Sequence, residues 1–345
     1  MYSIPMVTIC IPTFNGAAFL QECLDCAIQQ TYPNLEILIV DDDSTDETIK
    51  IIKENIQNEQ RIRLLQNNVR LGLVGNWNKC IENAKGEWIK FLFQDDIMAD
   101  NCVEKLIDHI LKHPSPPMAA FCQREFFYDG EGSGCDFSKK MKRRKFIWDI
   151  YPEKTLFQPK DTLRIFQQWK RHNVFGEPTS YIINKDVFSA IGLFDNAFQH
   201  ICDLEFWYRM GINFSVAMLP ETLVKFRLHN HSTTSFNREN KYLDFKYFDS
   251  IRLYDKFLNN IHFQSFRGQV GPTLAKKYLR SLLAIAARRA RIDIAKKNDA
   301  SWREAFTRFS SEVEDVEKLS RTPYLLLAVK FSLFSVLIKL KCFAL

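Results

Sequence analysis

The 345-residue chain reads as an α/β protein, a mostly parallel sheet flanked by helices and followed by a helical C-terminal extension. Three observations predict this. Predominantly apolar runs, such as Val7 to Ile11 and Leu35 to Val40, alternate with stretches of helical spacing over the first hundred residues. Strands without polar alternation are buried on both faces, the condition of a parallel sheet covered by helices. Acid clusters follow two of these strands, at the carboxyl ends where such sheets bind ligands.

The elements follow in order. Val7 to Ile11 is the first strand, closed by Pro12-Thr-Phe-Asn-Gly16. Ala17 to Gln30 has helical spacing, with Phe19, Leu20, Leu24 and Ala27/Ile28 on one side. Leu35 to Val40 is the second strand and runs into Asp41-Asp42-Asp43-Ser44. A helix begins at Thr45 or Asp46 and continues through Ile56, and Ile62 to Leu65 is a third strand. Val74 to Ala84 is a helix ended by Gly86, and Trp88 to Phe93 is the fourth strand.

At the tip of that strand stand Asp95 and Asp96. Two carboxylates there are costly unless something positive arrives. A hard divalent cation carrying a diphosphate suits them, because Mg²⁺ and Mn²⁺ prefer oxygen ligands and usually bring substrate phosphates. The competing role is a helix cap, with Asp96 preceding a helix that starts near Asp100.

Several motifs, in order and at consistent separations, carry a resemblance. They are Val7-Thr-Ile-Cys-Ile-Pro-Thr-Phe-Asn15, Gln30-Thr-Tyr-Pro-Asn-Leu-Glu-Ile37, Val40-Asp-Asp-Asp-Ser-Thr-Asp46, Asn67 to Gly72, Asn78, Gly86 and Phe91-Leu-Phe-Gln-Asp-Asp96. Together they resemble the family 2 glycosyltransferases with the GT-A (Rossmann-like) fold, over roughly residues 5 to 235. The resemblance implies that Pro12, Thr13 and Asn15 line a nucleotide pocket and that Asp42 accepts hydrogen bonds from the base or ribose. Arg70 and Asn78 are further candidates for donor contacts. Asp95 would face the ribose or metal, and Asp96 would hold a Mn²⁺ or Mg²⁺ ion. The first acid of the family's D-x-D-D form is Phe93 here.

The second half continues the likeness. Cys202-Asp-Leu-Glu-Phe-Trp-Tyr-Arg209 resembles the family's E-D segment, which makes Asp203 the base that deprotonates the attacking hydroxyl, with Cys202 where a Glu is usual. A positioned carboxylate in that role supplies roughly 10²–10⁴-fold in rate. Glu205 is the neighbouring competitor, and Asp203 could instead cap the helix that follows it. Phe226-Arg-Leu-His229 resembles the family's R-x-H segment, placing Arg227 at the diphosphate and His229 at the metal, with His231 as an extra histidine. The implied activity is inverting transfer of a sugar from a nucleotide-diphosphate sugar to a hydroxyl of a glycan or lipid-linked acceptor, in surface polysaccharide biosynthesis.

Two other readings compete with this one. A sugar-nucleotide pyrophosphorylase needs a glycine-rich basic loop after the first strand, and Pro12 to Gly16 offers one glycine and no basic residue. A degenerate nucleotide-sugar-binding protein is suggested by Phe93 and Cys202 replacing family acids.

The remaining sequence divides the chain into residues 1–235, a helical extension over 236–322 and an apolar tail over 323–345. The tail is interrupted by Lys330, Lys339 and Lys341, which suits an in-plane interfacial helix better than a span. Lys139 to Lys145 carries six charges in seven residues, a candidate contact for acceptor phosphate or an anionic membrane surface. A net charge of +6 without a reading motif argues against nucleic acid. The nine cysteines show no disulfide-like pairing, Cys23-x-x-Cys26 reads as core packing, and the first strand begins at once without a leader. These features place the protein in the cytoplasm, peripheral on the inner face of the cell membrane.

Overall fold

A computed structural model describes residues 4–128, 145–170, 172–229, 247–297, 299–313, 316–323 and 332–337. Lys139 to Arg144, His231 and most of the tail from 323 to 345 lie outside them. The chain separates into two compact units.

The first unit comprises residues 1–157, 174–196 and 214–230 and contains the sheet. Strands β1 (Val7–Thr13), β2 (Leu35–Asp41), β3 (Ile62–Gln66) and β4 (Trp88–Phe91) pair in parallel in the order β3-β2-β1-β4. Every residue of β1, β2 and β4 is buried, the polar Thr8, Glu36 and Lys90 among their apolar neighbours included. Helices α1 (Leu20–Ile28), α2 (Thr48–Ile56), α3 (Gly72–Asn83) and α4 (Cys102–Leu111) link or follow these strands. Leu20, Leu24 and Ala27 from α1 and Leu106, Ile107 and Ile110 from α4 join Ile9, Ile11, Ile37 and Ile39 in one core. Each of these Leu and Ile side chains stabilises by about 1.5–3 kcal/mol on full burial.

Past β4 the sheet becomes mixed. β8 (Tyr181–Asn184) runs antiparallel to β4, β6 (Ala119–Tyr128) antiparallel to β8, and β9 (Val216–Leu228) parallel to β6. β5 (Ile97–Met98) and β7 (Leu156–Phe157) add antiparallel edges to β9. The consecutive parallel pairing read from the sequence thus belongs to the first four strands, and β6 with β9 adds a parallel pair beyond them.

Several boundaries differ from the periodic pattern. β4 stops at Phe91 because the chain turns at 93–96, where the Asp96 N–H donates to the Phe93 carbonyl at 3.0 Å. Helix α1 starts at Leu20, since Gly16 to Phe19 form a turn closed by bonds to the Gly16 carbonyl. Helix α2 starts at Thr48, where the Asp46 carboxylate accepts from both the backbone and the hydroxyl of Thr48.

The second unit comprises residues 158–173, 197–213 and 231–345. Its described elements are helical, including Pro159–Trp169, Cys202–Gly211, Asp249–Asn259, Pro272–Lys297 and Ala300–Glu312. Phe166, Tyr208, Phe257, Phe263 and Phe266 form its aromatic centre, with Phe166 and Phe257 stacked at 4.0 Å. Among the described residues no helix is long and apolar enough to cross a membrane. The described cysteines are buried free thiols, with Cys23 and Cys26 in the sheet core.

Candidate active site

Two chain reversals in left-handed conformation stand at the carboxyl ends of β1 and β2. Asn15 has φ 45° and Asp43 has φ 67°. Asn and Asp are the non-glycine residues that tolerate this region best, which suits them to these tight reversals. The Asn15 side chain accepts from the Thr45 N–H at 2.8 Å, while its own N–H donates to the Ser44 hydroxyl. Gly16 packs against the Gln94 side chain, which a Cβ there would have to displace and whose amide brackets the Phe14 backbone. The loop after β1 is thereby tied to the loop after β4.

The acids after β2 are engaged by their own chain. Asp41, fully buried, accepts from the Thr13 hydroxyl at 3.0 Å and from both the hydroxyl and the N–H of Ser44. Asp42 accepts from the Asn67 amide at 3.0 Å, from Leu71 N–H at 2.7 Å and from Gly72 N–H at 2.8 Å. It thus holds the start of α3, where a carboxylate is favoured by the exposed N–H groups. Arg70, in the loop that Asp42 holds, lays its guanidinium 3.7 Å from the centre of the Phe14 ring. Asn78 is joined at both ends of its amide to the backbone of Phe194, at 2.8 and 3.0 Å.

The acid pair after β4 is different. Asp96 is 1% exposed, its Oδ1 accepts from the Arg227 N–H at 3.1 Å, and its Oδ2 is buried with no hydrogen-bond partner. Burial first, and the neighbouring Asp95 charge second, push the Asp96 carboxyl well above the usual carboxylate range. The Thr179 hydroxyl lies beside it and favours the charged form, yet completes no hydrogen bond. Asp95 is more open and pairs with His229 Nε2 at 2.8 Å, which leaves His229 Nδ1 buried without a partner.

Arg227 is built into this corner. Its Nε donates to the Asp95 carbonyl at 2.9 Å, Nη2 pairs with Glu22, and the guanidinium lies between the rings of Phe127 at 4.4 Å and Phe19 at 4.6 Å. The side chain is 3% exposed, so it braces the acid pair from below. Phe93, at the place of the family's first acid, stacks on Trp77 at 4.9 Å within a cluster that includes Phe91 and Phe194.

Among the described residues no three His, Cys, Asp or Glu side chains converge as a complete metal site. The donor set at Asp95 and Asp96 still suits a hard cation. It offers one buried carboxylate oxygen without a partner and a second carboxylate beside it, and Mg²⁺ or Mn²⁺ commonly takes one or two carboxylates and fills its shell with phosphate and water.

In the second unit Asp203 lies in the first turn of the helix Cys202–Gly211. Its Oδ2 accepts from the Asn173 amide at 2.7 Å and its Oδ1 from Leu204 N–H at 2.7 Å. Glu205 is 1% exposed and makes a bidentate pair with Arg209 at 2.7 and 2.8 Å. The loop before this helix is held by Asp249, which accepts from the backbone N–H groups of Gln199, His200 and Ile201. Cys202 is buried, and burial, then the charges of Asp203 and Asp249, push its thiol up, as for an inert core group.

Sequence reasoning did not find Glu22, Arg124, Glu177, Thr179 or Asp249. Arg124 carried a weak signal: it stands with Gln123 and Glu125 between the apolar segments Ala119 to Cys122 and Phe126 to Tyr128. Glu22 and Asp249 act across long separations and carried none.

The sequence profile of Glycosyl transferase family 2 matches residues 8–191, more than half of the chain. A Rickettsia typhi protein described as an uncharacterized glycosyltransferase is 28% identical over 231 residues, 67% of this chain and 66% of that protein. The structure is similar to S. aureus TarS 1-349 in complex with UDP-GlcNAc, at TM-score 0.61 and 18% identity, over 97% of this chain and 90% of that one. It is also similar to the mannosyltransferase PcManGT of Pyrobaculum calidifontis, in complex with GDP-Man and Mn²⁺, at TM-score 0.54 and 16% identity, over 99% of this chain and 88% of that one. The shared architecture is the GT-A fold.

Proposed function

The chain belongs to glycosyl transferase family 2, and from that premise we propose that it moves a sugar from a nucleoside-diphosphate donor to a hydroxyl of a glycan or lipid-linked acceptor, with inversion, in surface polysaccharide assembly. The observation that carries the reading is Asp96, a buried carboxylate whose Oδ2 has no partner at the carboxyl end of a central parallel strand. A divalent cation held by Asp96 and Asp95 would neutralise charge on the departing diphosphate. Asp95 is kept in place by His229 and Arg227, and His229 still offers Nδ1. Pro12 and Thr13 end β1, and Asn15 and the Arg70 guanidinium stacked on Phe14 follow at its carboxyl end, where the nucleoside would lie. Asp203 acts as the base toward the acceptor hydroxyl. Its fit to this role rests on being only half buried, while Glu205 is locked to Arg209.

The apolar, lysine-interrupted tail attaches the protein to a membrane surface. Leu333, Val336 and Leu337 in its described part are exposed, which supports this reading. Deleting residues 323–345 should abolish flotation with anionic liposomes, and continued flotation would move the contact elsewhere. A thermal-shift and hydrolysis screen over UDP- and GDP-sugars with Mn²⁺ tests the activity itself. A stabilised, slowly hydrolysed donor is expected, and no response to any nucleotide sugar would reject the reading.

A further inference from the structure

We propose that Glu177 hydrogen-bonds a hydroxyl of a sugar ring beside the acid pair, and that Arg124 is the residue that positions it. The inference rests on the nucleotide-sugar reading above and concerns residues to which that reading gives no role.

Arg124 lies on β6 with its side chain wholly buried, and its Nε pairs with Glu177. Its guanidinium is boxed by Phe146 at 4.1 Å and Phe126 at 4.3 Å, with Trp148 and Phe226 at 5.6 and 5.9 Å. Nη1 and Nη2 reach no partner. A buried ion pair seldom stabilises a fold more than apolar residues of the same volume would, and orphaned donors make it worse. Stability does not account for this pair.

The backbone is shaped to aim it. Gly176 has φ 93°, in the left-handed region, and a Cβ there would sit 3.6 Å from Arg124 Nε and 3.7 Å from the Trp148 ring. Glu177 follows at once and opens the turn Pro178–Ser180, whose Thr179 carbonyl is anchored by the buried Lys90 ammonium. Glu177 keeps 19% of its side chain exposed, so it is the reachable member of the pair.

The unpartnered atoms around it identify the ligand class. With Asp96 Oδ2 left to the cation, Arg124 offers two donors and the Thr179 and Ser180 hydroxyls either role, all buried without partners. A free phosphate would meet Arg124 but be repelled by Glu177 and Asp96. A second cation would suit the acids but be repelled by Arg124. Sugar hydroxyls donate and accept without net charge, and they satisfy both signs.

The test compares a nucleotide sugar with its sugar-free nucleotide. Binding of UDP-GlcNAc or GDP-mannose, whichever the parent takes, is measured by calorimetry with Mn²⁺ against UDP or GDP. Glu177→Gln is expected to weaken the sugar nucleotide about tenfold and the bare nucleotide less than about twofold. Arg124→Lys should act in the same direction. If it folds poorly, the less buried Glu177→Gln still decides. A retained donor affinity with a KM for monosaccharide acceptors raised about tenfold would also support the proposal and assign the hydroxyl to the acceptor. Equal weakening of both nucleotides would put Glu177 on the diphosphate and overturn it, as would no change in either affinity or acceptor KM. A parent that binds no nucleotide sugar would instead remove the functional reading, and this proposal with it.

Discussion

The two acid clusters at the carboxyl ends of β2 and β4 look alike in the sequence and behave differently in the fold. After β2, the carboxylates of Asp41 and Asp42 accept six hydrogen bonds from Thr13, Ser44, Asn67, Leu71 and Gly72. After β4, Asp96 is as deeply buried but has one oxygen with no partner, and the nearest charge is another carboxylate. The first cluster builds the loops. The second keeps an open carboxylate oxygen, where the proposed cation would bind. Residual bonding capacity at full burial, rather than acidity or position, separates a site from a scaffold.

The largest expected effect falls on the incomplete cluster. Asp96→Asn keeps the oxygen that meets Arg227 N–H and removes the charge a cation needs, so turnover should fall by about 10²-fold or more. Its stability should move the other way. The raised pKa means that the folded state binds the proton more tightly than the unfolded state. Cation-free stability should therefore be fully present below the usual carboxylate pKa and decline as pH rises through the elevated one. Melting curves across about pH 4 to 9 should show that decline in the parent, its relief by Mn²⁺, and its absence in Asp96→Asn. A parent with no such slope, or a mutant with normal turnover, breaks the comparison.

Asp203 and Glu205 differ on one helix in another way: Asp203 is half-buried, whereas Glu205 is buried and paired with Arg209. Asp203→Asn should lower kcat by roughly 10²–10⁴-fold and leave nucleoside-diphosphate affinity within about twofold. Glu205→Gln should instead unfold more easily, since disrupting a buried, bidentate pair costs about 3–5 kcal/mol. Denaturation midpoints and kcat measured on both variants separate the roles. The reverse pattern would make Glu205 the base.

Asp42→Asn probes the completed cluster. An amide must turn its NH₂ toward one of the donors from Asn67, Leu71 or Gly72, at a cost of about 1–3 kcal/mol. A lowered urea midpoint is expected. If nucleoside affinity also falls, the base contact expected of Asp42 is made through the loop it holds. An unchanged midpoint would show that these three bonds are not what holds the start of α3.

The four parallel strands and both acid clusters were legible because predominantly apolar runs and clustered charges are local signals. The mixed half of the sheet was not, because β6, β8 and β9 pair across long separations that no local period records. Chemical state was hidden for the same reason. Asp42 and Asp96 are identical letters after similar strands, and their difference is made by Leu71, Gly72 and Arg227, which lie far from at least one of them in sequence. Asn78, expected at the donor, has its amide joined to Phe194, 116 residues away. Arg227, expected at the diphosphate, is clamped between Phe19 and Phe127. Glu177 was overlooked because it belongs to none of the acid clusters, and its significance arises only from Arg124 and its aromatic box.

Arg70 gives the smallest effect on stability and the finest test of where the nucleotide lies. It is exposed and stacks on Phe14, an interaction worth about 0.5–1 kcal/mol at such a site. Its loop is fixed by Asp42, so Arg70→Ala should shift the denaturation midpoint only slightly. A guanidinium held beside the left-handed turns is placed to meet phosphate oxygens, which would draw it away from the ring. UDP affinity should then fall several-fold in Arg70→Ala, more at low salt than at high salt, while uridine binding stays unchanged. Equal losses for UDP and uridine would mean that Arg70 orders the loop through Phe14. No loss for either would place the diphosphate away from this loop and leave it to the acid pair alone.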